Sequence, residues 1–138
     1  MDFSGINIWE LLVAALSTFP IGFLWYGKVL FGKTWQRLAG VSDEDINKGN
    51  MALKFGLTFL LNFIIATFLS FFVEIAMMIG SSALYGGLLA AILCIGFVVT
   101  TFGITYLFAR KPLKLFWIDA GFMIVCFFVM GVIIGAWY

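Results

Sequence analysis

The stretch "FLWYGKVLFGKTWQRLAG" (residues 23–40) marks the point where a long apolar run ends and aromatic and basic residues begin to alternate. Trp and Tyr are enriched where a membrane meets water, and Lys and Arg are enriched in cytoplasmic connections. The residues expected to anchor this stretch at the interface are Trp25, Tyr26, Lys28, Trp35 and Arg37. Phe31, Trp35 and Leu38 recur at helical spacing, which predicts a short amphipathic helix lying in the interface.

The composition also places the chain in a membrane. Of its 138 residues, 64% are hydrophobic and only 11% are charged, whereas a soluble domain is about 25% charged. A chain this short leaves much of its surface exposed after folding, so a surface this apolar requires lipid around it. We expect the lipid bilayer as partner and no nucleic acid.

Chemistry that depends on histidine is excluded, because the chain contains none. This removes the common zinc sites and histidine acid–base catalysis. Cys94 and Cys126 lie far apart within apolar segments, and we interpret them as buried apolar residues rather than a redox pair. The sequence has no nucleophile-and-base pair and no cofactor motif, so we expect no enzyme activity, no cofactor and no metal.

Four segments are long and apolar enough to cross a bilayer, which takes about 20 helical residues. They are continuously apolar, whereas the strands of membrane barrels alternate. The fold class is therefore an all-α integral membrane protein, with four transmembrane helices and a short interfacial amphipathic helix between spans 1 and 2. The predicted single transmembrane domain, residues 1–138, has spans at about 6–26, 52–79, 82–108 and 113–137 and a cytoplasmic interfacial segment at about 28–50.

The basic residues give this domain an orientation. All eight lie in or beside the connection between spans 1 and 2 or the turn between spans 3 and 4. Because basic connections remain in the cytoplasm, we expect both termini outside. The N-terminus lacks the basic region of a signal peptide, so the first span is expected to be retained.

The motif "SDEDINKGN" (residues 42–50) has the features of a helix start. Ser42 and Asp45 resemble a capping box, and acidic residues occupy the first turn, where the helix dipole favours them. We expect a new helix to begin near Asp43 and to continue into span 2.

Three stretches carry the most specific motifs: "LWYGKVLFGKTWQRLAGVSDEDINKGNMA" (24–52), "TYLFARKPLKLFWIDAGF" (105–122) and "MGVIIGAW" (130–137). Their W-Y…F-G-K-x-W block, S-D-E-D helix start, P-L-K-L-F turn and final G-x-x-x-G-x-W resemble the bacterial membrane family catalogued as domain of unknown function 1761. The resemblance implies four helices in the bacterial cytoplasmic membrane, and it implies no known activity.

Small residues recur along the predicted spans, at positions where helices in lipid can approach closely. Gly131-x-x-x-Gly135 in span 4 and Gly87 in span 3 are predicted to pack helices together. These contacts are expected either within the subunit or between subunits.

Ionisable residues inside a span are costly and are functional candidates by default. Asp119 lies about 7.5 Å deeper than Lys114 along span 4, and we interpret it either as a structural partner or as a pathway residue. Its expected partners are a basic side chain or a hydroxyl near the same depth, namely Lys54, Arg110, Lys111, Lys114, Thr101 or Thr105.

Glu10 and Glu74 lie toward the opposite surface. Either both are solvated in the interface, or they face one another and share a proton or a cation, because two close carboxylates do not both ionise freely. Asn62 lies in the middle of span 2, as an interhelical contact or as a ligand. The candidate pathway or ion and proton residues are thus Glu10, Glu74, Asn62, Asp119, Thr101 and Thr105.

Two functions follow from these positions. The first is a transporter or channel for a small solute or ion, built as a homo-oligomer in parallel orientation, because four short helices rarely enclose a wide pathway alone. The alternative is a non-transport assembly or lipid-interacting subunit, whose basic connections hold anionic lipid. A water-accessible cavity joining Glu10, Asn62 and Asp119 would favour the first.

Overall fold

The architecture was obtained as a computed structural model, which describes residues 5–80 and 82–138. Every regular element in these residues is a helix, and four helical spans are long and apolar enough to cross a membrane. The predicted fold class is therefore confirmed. The helices are α1 (Ile8–Trp25), α2 (Gly32–Ala39), α3 (Asp43–Ile46), α4 (Met51–Ile79), α5 (Ala83–Leu93), α6 (Thr100–Phe108) and α7 (Leu113–Trp137).

The third span is continuous but not uniform. A π-helical segment, Cys94–Val99, joins α5 to α6, so the span as a whole runs from Ala83 to Phe108. Such segments widen the helix locally and occur often at functional sites. Cys94 at its start is fully buried, whereas Phe97 in its middle is exposed.

The two ends of the bundle differ in charge. The spans are connected by residues 26–50 and 109–112 at one end, which we name the basic end because all Lys and Arg residues lie in or beside these connections. At the opposite end α1 and α5 begin while α4 and α7 end. Glu10 and Glu74 lie there, and we name it the acidic end.

The connection between α1 and α4 contains two short helices. Ser42 caps α3 as predicted: its side chain accepts a hydrogen bond from the Asp45 backbone N–H, and the Asp45 carboxylate accepts one from the Ser42 N–H. The expectation that this helix continues into span 2 is wrong. α3 ends at Ile46, Gly49 adopts a positive φ of 84°, and Asn50 caps α4 as a separate helix.

Helix α7 is central, because it packs against α1, α4 and α5. Its closest approach is to α5, where a Cβ added to Gly86 would lie 2.5 Å from the Gly131 carbonyl oxygen. Gly135 lies against Ala83, and Gly87 against Val132 and Phe128 of α7. These glycines therefore pack helices within one subunit, which resolves the alternative that the sequence left open.

Candidate functional site

Asp119 lies on α7 near the basic end and accepts hydrogen bonds from three aromatic side chains. The Tyr26 hydroxyl donates to its Oδ1 at 2.6 Å, and the Trp35 Nε1 donates to the same oxygen at 3.1 Å. The Tyr106 hydroxyl donates to Oδ2. We name these four residues the Asp119 cluster. Because the three donors come from the end of α1, from α2 and from α6, one carboxyl group connects four helices.

Ring packing holds these donors in place. The rings of Tyr26 and Trp35 meet edge to face with their centroids 5.6 Å apart, and Tyr26 meets Phe122 in the same way at 5.0 Å. Trp25 donates from its Nε1 to the Ile118 carbonyl at 3.0 Å, one residue before Asp119. The end of α1 is thus fixed against α7 by two hydrogen bonds and a stacked aromatic layer.

This arrangement differs from the sequence-based expectation for Asp119. Among the described residues, the one ion pair within 4 Å joins Lys48 to Asp45 at 3.3 Å. None of the four basic side chains proposed as partners therefore forms an ion pair with Asp119 in the described part of the chain. Its hydrogen-bond donors there are neutral side chains. Lys54 instead donates to the Lys48 carbonyl at 2.6 Å, and Lys111 lies 5.1 Å above the Tyr106 ring.

The threonines of the third span do not reach Asp119 either. Thr101 and Thr105 are exposed, and their hydroxyls donate to carbonyls of their own helix, those of Phe97 and Thr101. The hydroxyl that binds Asp119 belongs to Tyr106, one residue beyond Thr105. A hydroxyl from span 3 was expected, but the longer tyrosine side chain supplies it.

Three of the five expected interface anchors point inward. Trp25, Tyr26 and Trp35 are half-buried and bonded to α7, so their polar atoms face protein rather than headgroups. Lys28 and Arg37 are exposed, as an interfacial position requires. The amphipathic helix α2 therefore docks beneath the bundle through its tryptophan.

A cleft of about 600 Å³ lies between α1, α4, α7 and the third span. Its lining is mostly apolar and aromatic, with Asn62 and Thr18 as a polar pair in the middle. Asn62 donates from Nδ2 to the Thr18 hydroxyl at 2.9 Å, and that hydroxyl donates to the Ala15 carbonyl at 2.9 Å. No hydrogen bond is made to the Asn62 carbonyl oxygen within the described part of the chain.

The cleft reaches neither of the acidic residues expected at the two ends of the predicted pathway. Its lining includes Tyr26 of the Asp119 cluster but neither Asp119 nor Glu10. Between the cleft and Glu10 lies a closely packed core, which is built largely from small residues and contains Ala14, Ala66, Val73 and Ile134, each with no exposed surface. One cavity therefore does not join Glu10, Asn62 and Asp119 in this conformation.

Glu10 and Glu74 occupy the acidic end in different surroundings. Glu10 is 2% exposed and Glu74 is half-buried, so the interpretation of both as solvated interfacial residues does not describe Glu10. Glu74 is near enough for its charge to act on Glu10.

Sequence reasoning did not identify Thr18, Tyr106 and Gly86. Tyr106 lies 13 residues before Asp119, and the tight turn "ARKPLK" separates them. Two residues on either side of such a turn lie at similar depths in neighbouring helices, and this spacing was the available signal. Thr18 lies next to Ser17 in span 1, and the register of α1 against α4 decides that Thr18 rather than Ser17 meets Asn62. Gly86 adjoins Gly87 and was the nearer neighbour of Gly131.

A family model described as "Protein of unknown function (DUF1761)" matches residues 9–135 of this chain. The match covers nearly the whole chain and confirms the resemblance carried by the three motif stretches. No curated protein and no solved structure matches it.

Proposed function

The chain belongs to the family described as "Protein of unknown function (DUF1761)", and we propose from its geometry that it binds a neutral amphipathic molecule, taken from the bilayer into the cleft. The observation that carries this proposal is the cleft itself. Its volume of about 600 Å³ lies within the range of roughly 300–1,000 Å³ that small-molecule sites occupy. An apolar wall with one polar pair is also the usual chemistry of such sites.

The lining determines the class of ligand. Phe19, Phe55, Phe102 and Phe127 contribute aromatic surface, which favours a large apolar body. The lining contains no Lys, Arg, Asp or Glu, so a charged group would be desolvated there without a partner. The free Asn62 carbonyl oxygen accepts a hydrogen bond, which fits a hydroxyl or N–H donor on the ligand.

Access to the cleft is lateral. α4 packs against α5 near the acidic end, whereas α6 packs against α7 and the π-helical segment. Phe55 and Thr58 of α4 and Phe102 of α6 line the gap between these two helices toward the basic end. A lipid-soluble molecule can enter by this gap without crossing water, because the surrounding bilayer already dissolves it.

Photolabelling tests this proposal directly. We would reconstitute the protein with a long-chain alcohol carrying a diazirine on its chain, and in parallel with the matched alkane that lacks the hydroxyl. The alcohol is expected to label cleft residues such as Phe102 and to be displaced by unlabelled alcohol. Its apparent affinity should fall about two- to tenfold in Asn62→Leu, because one neutral hydrogen bond is lost.

Thr100→Val is the matched control. Thr100 is exposed, and its hydroxyl bonds only carbonyls of its own span. This variant is expected to label as the wild type does. Equal labelling by alcohol and alkane, unaffected by Asn62→Leu, would mean that bulk lipid fills the cleft, and it would overturn the proposal.

A second candidate function is transport of a small solute or ion by a parallel homo-oligomer. It is favoured by one observation, that each end of the bundle holds an acidic residue inside a span. The packed core between the cleft and Glu10 means that such transport would require α1 or α7 to move, or a path between subunits. Cation flux into proteoliposomes, compared with the Asp119→Asn variant, tests this candidate.

We also propose a bacterial cytoplasmic membrane as the location, with both termini outside. Support comes from the basic residues, which cluster at one end of the bundle. The native cysteines are buried, so single introduced cysteines report cleanly. In intact cells an impermeant maleimide is expected to label Ser4→Cys and to spare Lys48→Cys. Labelling of position 48 from outside would reverse the orientation.

A further inference from the structure

The Glu10 carboxyl group is buried with an unused oxygen. Glu10 is 2% exposed, and its Oε1 has no hydrogen-bond partner within the described residues. The backbone N–H of Asn7 bonds the carboxyl group, as in a helix capping box. One hydrogen bond at the helix start leaves the remaining oxygen to be satisfied by something else, since a buried unpartnered charge is very costly.

The neighbours of Glu10 are acidic or neutral. Glu74 of α4 and Tyr138 at the end of α7 both lie within electrostatic range of it, and both interact with each other. Glu74 reaches toward the start of α1, because a Cβ added at Gly5 would lie 3.4 Å from its Oε1. The ionisable group of α5 at this end, Tyr85, packs against Gly80 instead.

No basic side chain balances this group of oxygens. All Lys and Arg residues lie at the basic end, on the other side of the packed core. A cavity of about 400 Å³, lined by Glu74, Met77, Met78, Gly135 and Tyr138, opens beside the pair. An ion can therefore reach the Glu74 carboxyl group, next to the buried Glu10, from the acidic end.

We propose that Glu10 and Glu74 form a binding site for one monovalent cation, at which Na⁺ and a proton compete. Carboxylate oxygens prefer hard cations. A single positive charge neutralises the buried Glu10, while the half-buried Glu74 keeps access to water. The site lies apart from the cleft and does not depend on its ligand.

Labelling with dicyclohexylcarbodiimide tests the site. This reagent is apolar and reacts only with a protonated carboxyl group, so a bound Na⁺ that displaces the proton slows the reaction. We would label the reconstituted wild-type protein in mildly acidic buffer, once in NaCl and once in choline chloride of equal ionic strength, and map the adduct by mass spectrometry. We expect an adduct on Glu10, formed several-fold more slowly in NaCl.

Two variants complete the experiment. Glu74→Gln is expected to abolish the protection by Na⁺, since one of the two ligands is lost, whereas Glu44→Gln in the exposed helix α3 should keep it. Melting curves confirm that each variant is folded. Equal labelling rates of the wild type in NaCl and choline chloride would overturn the proposal. So would Na⁺ protection that persists undiminished in Glu74→Gln, because Glu74 would then not be a ligand.

Discussion

Asp119 and Glu10 are acidic residues inside spans at opposite ends of one bundle, and they differ in what surrounds them. Both oxygens of Asp119 are bonded, by Tyr26 and Trp35 on one side and by Tyr106 on the other. Glu10 is more deeply buried and has an oxygen without a partner among the described residues. The same kind of side chain thus has both oxygens hydrogen-bonded at one end and leaves one oxygen without a hydrogen bond at the other.

This difference distinguishes two roles that an ionisable residue can have inside a membrane span, a structural role and an ion-binding role. Such residues are functional candidates by default because they are costly. Three neutral donors offset the cost of burying Asp119, and their hydrogen bonds connect α1, α2 and α6 to α7. Glu10 has no such compensation, and a bound cation supplies it in our proposal.

The two ends are also held together differently. The basic end relies on hydrogen bonds and ring packing around Asp119. The acidic end relies on backbone contact between α5 and α7, at Gly86 and Gly131.

Replacing Asp119 with Leu is expected to have the largest effect on stability. It leaves three donors without an acceptor, and the free energy of unfolding should fall by about 3 kcal/mol, from hydrogen bonds worth somewhat less in membranes than in water. Denaturant titration of the purified protein in detergent micelles measures this. Glu44→Gln serves as the control, and a loss as small as that control would show that the Asp119 cluster stabilises nothing.

Gly131→Leu tests whether backbone contact holds the acidic end. The added side chain meets the Gly86 carbonyl and Ala90, and overpacking of this kind costs about 1–3 kcal/mol. Gly56→Leu is the matched control, because no atom lies within 4 Å of a Cβ added there. Melting temperatures of the two variants in the same detergent give the comparison. Equal melting temperatures would mean that α5 and α7 separate without cost.

Tyr106→Phe makes Asp119 resemble Glu10, because it frees one carboxyl oxygen while keeping the aromatic ring. The expected loss is about 1 kcal/mol, the order found for single hydrogen bonds between membrane helices. The same denaturant titration measures it. The variant should also make Asp119 reactive toward dicyclohexylcarbodiimide. An unreactive Asp119 in this variant would mean that a free oxygen alone does not distinguish the two sites.

The smallest expected effect concerns α3, outside the spans. Hydrogen bonds from the Ser42 backbone and side chain, and then from Lys48, hold the pKa of Asp45 below its usual value. A lowered folded pKa means that the contribution to α3 is present above the unfolded value, about 3.8, and is lost as the pH falls through the folded one. Amide chemical shifts of Ser42 and Asp45 should follow this titration. Ser42→Ala should raise its midpoint only part of the way toward the unfolded value, because the side-chain contribution is lost while the larger one from the backbone N–H remains.

Sequence alone predicted the four spans, because about 20 apolar residues have no other stable location than a bilayer. It also predicted the Ser42 capping box, because that motif depends only on residues three apart in the sequence. It also predicted an inward, bonded position for Asp119, and a hydroxyl of span 3 was among the expected partners, but the residues named were basic side chains, Thr101 and Thr105 rather than Tyr106. The error arose because the lysines and arginines lie close in sequence, while exposure to water at the basic end satisfies them without Asp119.

The remaining features depend on how the helices are rotated against one another. Hydropathy is almost the same on all faces of these spans, so it does not indicate that Tyr26 turns toward α7 or that Glu10 turns inward. The cleft likewise results from the separation of α4 from α6. The sequences of α4 and α6 do not predict that gap. The one polar pair in the middle of the cleft is formed by Thr18 of α1 and Asn62 of α4.

The most direct test of the contrast between the two carboxyl groups compares Glu10→Gln and Asp119→Asn in one experiment. Each substitution removes a charge and keeps the size of the side chain. We would measure the free energy of unfolding of both variants and the wild type in Na⁺-free buffer. Glu10→Gln should unfold at the same or a higher free energy than the wild type, because a buried uncompensated carboxyl group is replaced by a neutral amide. Asp119→Asn should unfold at a lower one, since one of the bonded oxygens is lost. Equal destabilisation by both substitutions would contradict the account, because Glu10 would then be as fully bonded as Asp119.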